Sequence, residues 1–235
     1  METPSIPSIL IAAIMIITSL AYLVFYTLYW IGPIGFFIGQ SLLIIFFLAL
    51  MAIIIKLGKV TKSSSLRTTD FAVIAVFVAV KQVVDYAGML LPGPLVYIPF
   101  SVALFSYLPL GIVFAALFAI VPKPGAALTF LIADFLIGSA IGGSVTWANV
   151  YVLSAFALEA YFLMSKRGTL STLLLMGLSF GTFYSAFNSL NWLAVYEYWQ
   201  PLLTTLPTAI VCGIAMAIGA ILGYGIGSRA TRITL

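Results

Sequence analysis

The sequence contains no Asp, Glu, Lys or Arg between Glu2 and Lys56. An apolar stretch of about 20 residues is long enough to cross the hydrocarbon core of a bilayer, which is about 30 Å thick. The whole chain has the same character, because 63% of its residues are hydrophobic and only 7% are charged. A soluble domain carries about 25% charged residues. The sequence therefore predicts an integral membrane protein.

Apolar stretches of this length occur eight times along the chain. They predict an all-α integral membrane protein with about eight transmembrane helices, because a spanning helix satisfies its own backbone hydrogen bonds. Proline and glycine interrupt the apolar pattern at several boundaries, as expected where a helix ends. The expected spans are residues 8–30, 35–55, 70–91, 96–121, 125–142, 147–164, 169–190 and 202–227.

The longest charged and serine-rich connection lies between Lys56 and Asp70. It separates two expected spans from the six that follow. We interpret residues 1–60 as an accessory pair of transmembrane helices, because their polar residues are few and scattered. We interpret residues 66–235 as a six-helix substrate-binding membrane domain, because it contains all the ionisable side chains at membrane depth.

The basic residues predict the orientation of the chain, since cytoplasmic loops are enriched in Lys and Arg. In an eight-span arrangement, nine of the ten basic residues lie on one side of the membrane. Both termini are therefore expected in the cytoplasm. The nine residues are Lys56, Lys59, Lys62, Arg67, Lys123, Lys166, Arg167, Arg229 and Arg232.

The composition excludes several chemistries. The chain has no histidine and a single cysteine, Cys212, which rules out histidine-based catalysis, an intrachain disulfide and a thiolate metal cluster. It also has no Walker A motif and none of the nucleophile or aspartate motifs of intramembrane enzymes. We expect no enzymatic activity, no metal and no cofactor on this chain. The net charge of +4 needs no nucleic acid to explain it.

Four ionisable residues are expected inside the six-span part: Lys81, Asp85, Asp134 and Glu159. A charge at membrane depth is costly unless it is paired or hydrated, so each is a candidate substrate-binding residue. Asp134 is expected about 14 Å into its helix, near the midplane. It has no oppositely charged neighbour on its own helix, which makes it the first candidate for ligand contact.

A structural role is the alternative at each of the other three positions. Lys81 and Asp85 are four residues apart and can neutralise each other on one helix, or they can line a solvated pocket. Glu159 can act as a cap near the cytoplasmic face, pair with the basic residues that follow its helix, or contact the substrate.

Aromatic and amide side chains concentrate on the outer side of the expected bundle. Such residues can form an interfacial aromatic belt, or they can stack and hydrogen bond a flat or cationic heterocycle. The second interpretation makes five of them candidate substrate-binding residues, located at the start of the sixth span and in or near the connection between the last two spans. These are Trp147, Tyr151, Asn188, Trp192 and Tyr196.

Small residues mark places where helices can approach closely. The last span carries them at four-residue spacing from Ala215 to Gly227, which favours internal packing. Ala75 and Ala79 form a shorter stripe on the third span, just past the basic loop, where a partner subunit could reach it.

The ordered motifs of the six-span part resemble a transporter family. Residues 123–128 read KPGAAL, and Ala133-Asp134 follow in the same helix. An Ala-Leu-Glu segment ending at Glu159, the basic turn at 166–167 and the small-residue last helix come next. Together they resemble the substrate-binding S components of energy-coupling factor (ECF) vitamin transporters, and within them the YkoE type, associated with thiamin or its hydroxymethylpyrimidine precursor. Asp134 stands where that family has Glu.

The resemblance implies a subunit of the prokaryotic plasma membrane that captures a small vitamin-like substrate from outside. It implies partners as well: membrane lipid, a transmembrane coupling protein and two ATPase subunits. The family docks its coupling protein on an AxxxA face of the first core helix, which Ala75 and Ala79 match. The two N-terminal spans are not part of the usual six-helix core.

A different class of function also fits the sequence. An autonomous secondary transporter coupled to protons could use the four buried ionisable residues as a relay across the bilayer. No internal repeat supports this alternative.

Overall fold

The computed structural model describes residues 4–29, 32–56, 65–90, 101–141, 145–165, 168–197 and 201–233. These residues form eight α-helices, a π-helical turn over Ala103–Tyr107 and a 3-10 turn over Val145–Trp147. The prediction of an all-α protein is confirmed. The helices are α1 (Ile6–Tyr29), α2 (Gly32–Lys56), α3 (Thr68–Leu90), α4 (Leu108–Ile120), α5 (Ala126–Ala140), α6 (Ala148–Met164), α7 (Leu170–Tyr196) and α8 (Leu202–Ile233).

Six of the helices are long and apolar enough to cross a membrane, so the chain is a multi-pass membrane protein. The other two are α3 and α5. The described part of α3 carries three charged side chains, Asp70, Lys81 and Asp85. Helix α5 has 15 residues and is about 22 Å long at 1.5 Å per residue. The structure thus supports six candidate spans, against the eight expected from the apolar pattern.

Consecutive helices run in opposite directions across the bundle. Lys123, after α4, pairs with Asp70 in the first turn of α3. The Ser5 hydroxyl, before α1, lies 3.3 Å from the carbonyl of Met164 at the end of α6. We call this end of the bundle the Lys123 end and the opposite one the Trp147 end.

The basic residues that the structure describes outside the centre of the bundle are Lys56, Arg67, Lys123 and Arg229, and each lies close to a helix terminus at the Lys123 end. The side chains of the other five basic residues used for the orientation lie outside the described residues. They are Lys59, Lys62, Lys166, Arg167 and Arg232.

Three helices differ most from the predicted spans. Helix α8 continues past residue 227 to Ile233. Helix α4 follows a π-helical turn, and proline occupies its first turn. Because Pro109 has no N–H to donate, the regular hydrogen-bond pattern is interrupted there. Helix α7 continues past residue 190 to Tyr196 and ends at Glu197, whose φ is +53°. Trp192 and Tyr196 therefore lie on α7, and the prediction that they belong to the following connection is wrong.

The small residues of α8 are packed inside the bundle. A Cβ on Gly219 would meet the carbonyl oxygen of Leu108, and one on Gly223 would meet that of Ile112, so α8 and α4 touch through their backbones. A Cβ on Gly177 of α7 would lie 2.6 Å from the Cα of Ala217. These contacts confirm that the stripe on the last helix serves internal packing.

The N-terminal helix pair packs against the part of the bundle formed by α6 and α7. Tyr22 of α1 stacks on Phe187 of α7 at a ring distance of 5.5 Å. Phe47 of α2 meets Phe183 of α7 edge-on at 5.9 Å. Apolar side chains on the opposite faces of both helices are exposed, as expected of helices that face lipid.

Candidate functional site

Lys81 of α3 lies between two carboxylates in the centre of the bundle. Its Nζ is 2.6 Å from Oδ2 of Asp85, one turn further along α3, and 2.7 Å from Oδ2 of Asp134 on α5. The side chains of Lys81 and Asp134 are 1% and 0% exposed, whereas that of Asp85 is 27% exposed. With all three groups ionised, this cluster carries a net charge of −1. The pairing of Lys81 with Asp85 expected from their spacing is confirmed.

Gln82 supports the enclosed carboxylate of this cluster. Its side-chain amide donates to Oδ1 of Asp134 at 2.6 Å and to the backbone carbonyl of the same residue at 3.0 Å. Both carboxylate oxygens of Asp134 thus have a partner from α3, one charged and one neutral. The sequence analysis missed Gln82, although an amide next to a lysine in an apolar helix was a usable signal.

The ring of Tyr151 lies beside the ammonium group of Lys81, and further aromatic rings pack against that tyrosine. Its Nζ lies 3.5 Å from the hydroxyl of Tyr151 and 5.5 Å from the centre of that ring. Tyr151 of α6 contacts Phe135 of α5 at 5.5 Å and Tyr184 of α7 at 6.2 Å between ring centres. Tyr184 stacks on Phe180 at 5.7 Å. Helices α3, α5, α6 and α7 thus meet around one charged cluster.

Helix α7 carries a polar and aromatic stripe from this cluster to the Trp147 end. Tyr184, Asn188, Trp192 and Tyr196 follow one another at four-residue spacing, which places them on one face of the helix. Trp192 lies 5.7 Å from Trp147 and 4.7 Å from Tyr196 between ring centres. Trp192 and Tyr196 are 43% and 44% exposed. The stripe therefore connects an exposed aromatic rim with the buried charges.

Tyr107 links the π-helical turn to the same cluster. Its ring lies 6.2 Å from that of Tyr184, and its hydroxyl is adjacent to the side chains of Ser185 and Asn188. The sequence analysis found Asn188 but missed the two tyrosines, because the helix packing alone brings them to it.

Glu159 lies apart from the charged cluster, near the Lys123 end. Its Oε1 accepts a hydrogen bond of 2.9 Å from the backbone N–H of Gly125, the residue before α5. Gly125 has a φ of +84°, a conformation that favours glycine. The carboxylate is 2% exposed and faces the positive end of the α5 dipole. The expected cap-like contact is therefore present. Along α6, Glu159 is about 12 Å from Tyr151.

Ala75 and Ala79 lie on an exposed face of α3. Ile74 and Val78, one position earlier in each case, are buried against the rest of the bundle. The surface around the two alanines is therefore open to lipid or to another protein. Nothing in the structure tests whether a partner docks there, so the docking role stays a prediction.

Among the described residues, no three His, Cys, Asp or Glu side chains lie together in a group that could hold a metal ion. No protein-family model matches the chain, and no curated protein or solved structure is significantly similar to it. The site residues themselves therefore carry the functional inference.

Proposed function

We propose that this protein is the substrate-binding membrane subunit of an ECF-type vitamin importer. It captures thiamin, hydroxymethylpyrimidine or a similar small heterocycle from outside, and it is not an enzyme. The observation that carries the proposal is a buried cluster of net charge −1 at the inner end of an aromatic stripe. Such a cluster attracts a cationic or amine-bearing ring, which aromatic side chains then hold by stacking.

The exposure of the two carboxylates suggests a different task for each. Asp85 has exposed surface, so we assign it the contact with a positively charged group of the ligand. Asp134 was expected to contact the ligand itself, but it is enclosed by Lys81 and Gln82. We therefore assign it the task of holding Lys81 in place. Because one lysine cannot neutralise two aspartates, a ligand cation would complete the charge balance.

The aromatic stripe supplies the remaining contacts in this proposal. Trp147, Trp192 and Tyr196 receive the heterocycle at the rim, and Tyr151 and Asn188 contact it further in. A cation over an aromatic ring is stabilised by about 2 kcal/mol when the site is desolvated. In this proposal the Lys123 end, where the basic residues concentrate, and both termini lie in the cytoplasm of a prokaryotic cell, in keeping with the enrichment of Lys and Arg in cytoplasmic loops, and the rim would then face outside.

The coupling partner would dock on α3. Ala75 and Ala79 offer a flat exposed surface on the helix that also carries Lys81 and Asp85. A coupling protein that moved α3 would therefore act directly on the charged cluster. In this proposal ATP is hydrolysed by two further subunits, because the chain has no Walker A motif.

Tryptophan fluorescence of the purified protein in detergent tests the proposal, because Trp147 and Trp192 lie at the rim. Titration with thiamin and hydroxymethylpyrimidine should give saturable quenching. Asp85→Asn should weaken binding about 10-fold to 100-fold, as expected for a lost charged hydrogen bond. Asp70→Asn is the matched control, since Asp70 pairs with Lys123 at the other end. Folded protein without a saturable response to any compound of a vitamin panel would refute the proposal.

One observation favours an autonomous, proton-coupled transporter as the second candidate. Lys81 is shared by an enclosed and a partly exposed carboxylate, an arrangement that could pass a proton between the two. Purified protein alone in liposomes, driven by a pH gradient, distinguishes the candidates. Accumulation of solute without ATPase subunits would favour the carrier, whereas binding without accumulation would favour the subunit.

A further inference from the structure

Two buried amides lie where the N-terminal helix pair packs on the rest of the bundle. Gln40 of α2 and Asn191 of α7 are both 0% exposed. Neither the nitrogen nor the oxygen of either side-chain amide has a hydrogen-bond partner among the residues that the structure describes. Burying an amide without a partner is strongly unfavourable, so these four atoms require an explanation.

The two amides lie at the same height in the bundle. Phe47 of α2 contacts Phe183 of α7, and the two helices run in opposite directions. Gln40 lies seven residues from Phe47 toward the Trp147 end, which is about 10 Å along the helix. Asn191 lies eight residues from Phe183 in the same direction, about 12 Å. Gln40 lies on the same side of α2 as Phe47, because seven residues are close to two turns, and Asn191 lies one turn beyond Phe187, whose ring contacts Tyr22 of α1.

A second set of contacts leads to the same position. Tyr22 of α1 touches Phe36 at 6.4 Å and Phe187 at 5.5 Å between ring centres. One turn from Phe36 toward the Lys123 end is Gln40, and one turn from Phe187 toward the Trp147 end is Asn191. Gln40 is thus closer to the Lys123 end than Phe36, and Asn191 is closer to the Trp147 end than Phe187. This again brings the two amides to a similar height beside the Tyr22 ring.

We propose that Gln40 and Asn191 form one enclosed hydrogen-bonding site, in which a single buried water molecule joins the two amides. They are beyond hydrogen-bond reach of each other in the structure, since neither has a partner. Each amide offers two N–H donors and one carbonyl acceptor. A buried water typically makes two to four hydrogen bonds to polar groups that would otherwise be unsatisfied. Both amides are neutral, which suits a neutral guest.

This site would fasten α2 to α7. Asn191 lies one turn beyond Phe187, on the side of α7 that receives α1 and α2. Tyr184, at the inner end of the stripe, lies on nearly the same side of α7 as Asn191, because the two are seven residues apart, close to two turns. The water-bridged amides would therefore hold the accessory helices to the helix that carries the aromatic stripe, whatever ligand the protein binds.

Exchanging the two amides tests whether they act together. Gln40→Asn shortens one side chain by a methylene group, and Asn191→Gln lengthens the other by one. The double exchange therefore restores the combined length of the two side chains. Each single variant should raise the equilibrium constant of unfolding about 10-fold. The double variant should return this constant to within about threefold of that of the natural protein. Losses that simply multiply, or single variants without effect, would overturn the shared site. Gln40→Asn combined with Ser179→Ala is the control pair, and its effects should multiply, because Ser179 bonds within α7, to the Leu175 carbonyl.

A crystal structure of the natural protein provides the second measurement and does not depend on the folding of any variant. Electron density for one water within about 3.2 Å of both amides would support the proposal. A direct hydrogen bond between Gln40 and Asn191, or a dry gap, would overturn the bridging water.

Discussion

Replacing Lys81 by methionine should destabilise the protein strongly. Methionine keeps much of the length and apolar stem of lysine but removes the ammonium group. Two carboxylates would then lose a partner at 2.6 and 2.7 Å. Asp85 has exposed surface and can be hydrated in part, whereas Asp134 is 0% exposed and would be left as a buried, unpaired charge.

The size of the effect follows from this burial. Removing one partner of a buried ion pair costs about 3–5 kcal/mol. We expect a loss of about 3 kcal/mol, at the lower end, because Gln82 still donates to Asp134 and the aspartate can take up a proton. Adding Asp134→Asn to Lys81→Met should recover about 2 kcal/mol, since the orphaned charge is gone and an amide oxygen remains for Gln82.

Denaturant unfolding of the detergent-solubilised protein, followed by near-UV circular dichroism, measures these differences. Lys123→Met is the matched control. It breaks the pair with Asp70, whose side chains are 20% and 13% exposed and lie near the bundle surface. Its cost should stay near or below 1 kcal/mol. A Lys81→Met variant that is no less stable than Lys123→Met, or a double variant that is worse than Lys81→Met, would refute the assignment of Lys81 as the counterion of Asp134.

Three further contacts can be tested by the same unfolding measurement. Gly219→Ala should cost about 1–3 kcal/mol of stability, because the new Cβ would meet the backbone of α4. Gly225→Ala is the control and should be neutral or slightly stabilising, since no atom lies within 4 Å of its new Cβ. Equal effects of the two substitutions would contradict the close packing of α8. Glu159→Leu should cost about 1–3 kcal/mol by removing the acceptor of the Gly125 N–H, and Glu159→Gln less than half of that; an equal loss in both variants would contradict the capping role. Gln82→Leu should cost about 1–3 kcal/mol, and a silent substitution would argue against its support of the buried aspartate.

The charged residues illustrate how far sequence reasoning reached. Lys81 and Asp85 could be paired from their spacing, because the geometry of one helix fixes which residues are neighbours. The cap-like role of Glu159 could be named as one alternative, but its partner could not, since Gly125 belongs to another helix. For Asp134 the sequence offered no partner at all, and both of its partners come from α3.

The aromatic residues show the same limit. Their concentration toward one side of the bundle was visible in the sequence. That Trp192 and Tyr196 continue a helical stripe from Tyr184 was not, because it depends on α7 extending to residue 196. Tyr107 joins the cluster only through the packing of the π-helical turn against α7.

The sequence by itself determined that this chain is a helical membrane protein, because the partition of a segment into lipid is nearly a sum over its own residues. It also determined which few side chains carry charge at membrane depth. Only the tertiary structure decided that Asp134, on another helix, also pairs with Lys81, that Asp85 keeps exposed surface and that aromatic rings lie beside the cluster. These relations depend on which helices touch and on their relative heights in the bundle. Close backbone contacts between residues far apart in the chain, such as those of α8 with α4 and α7, fix both.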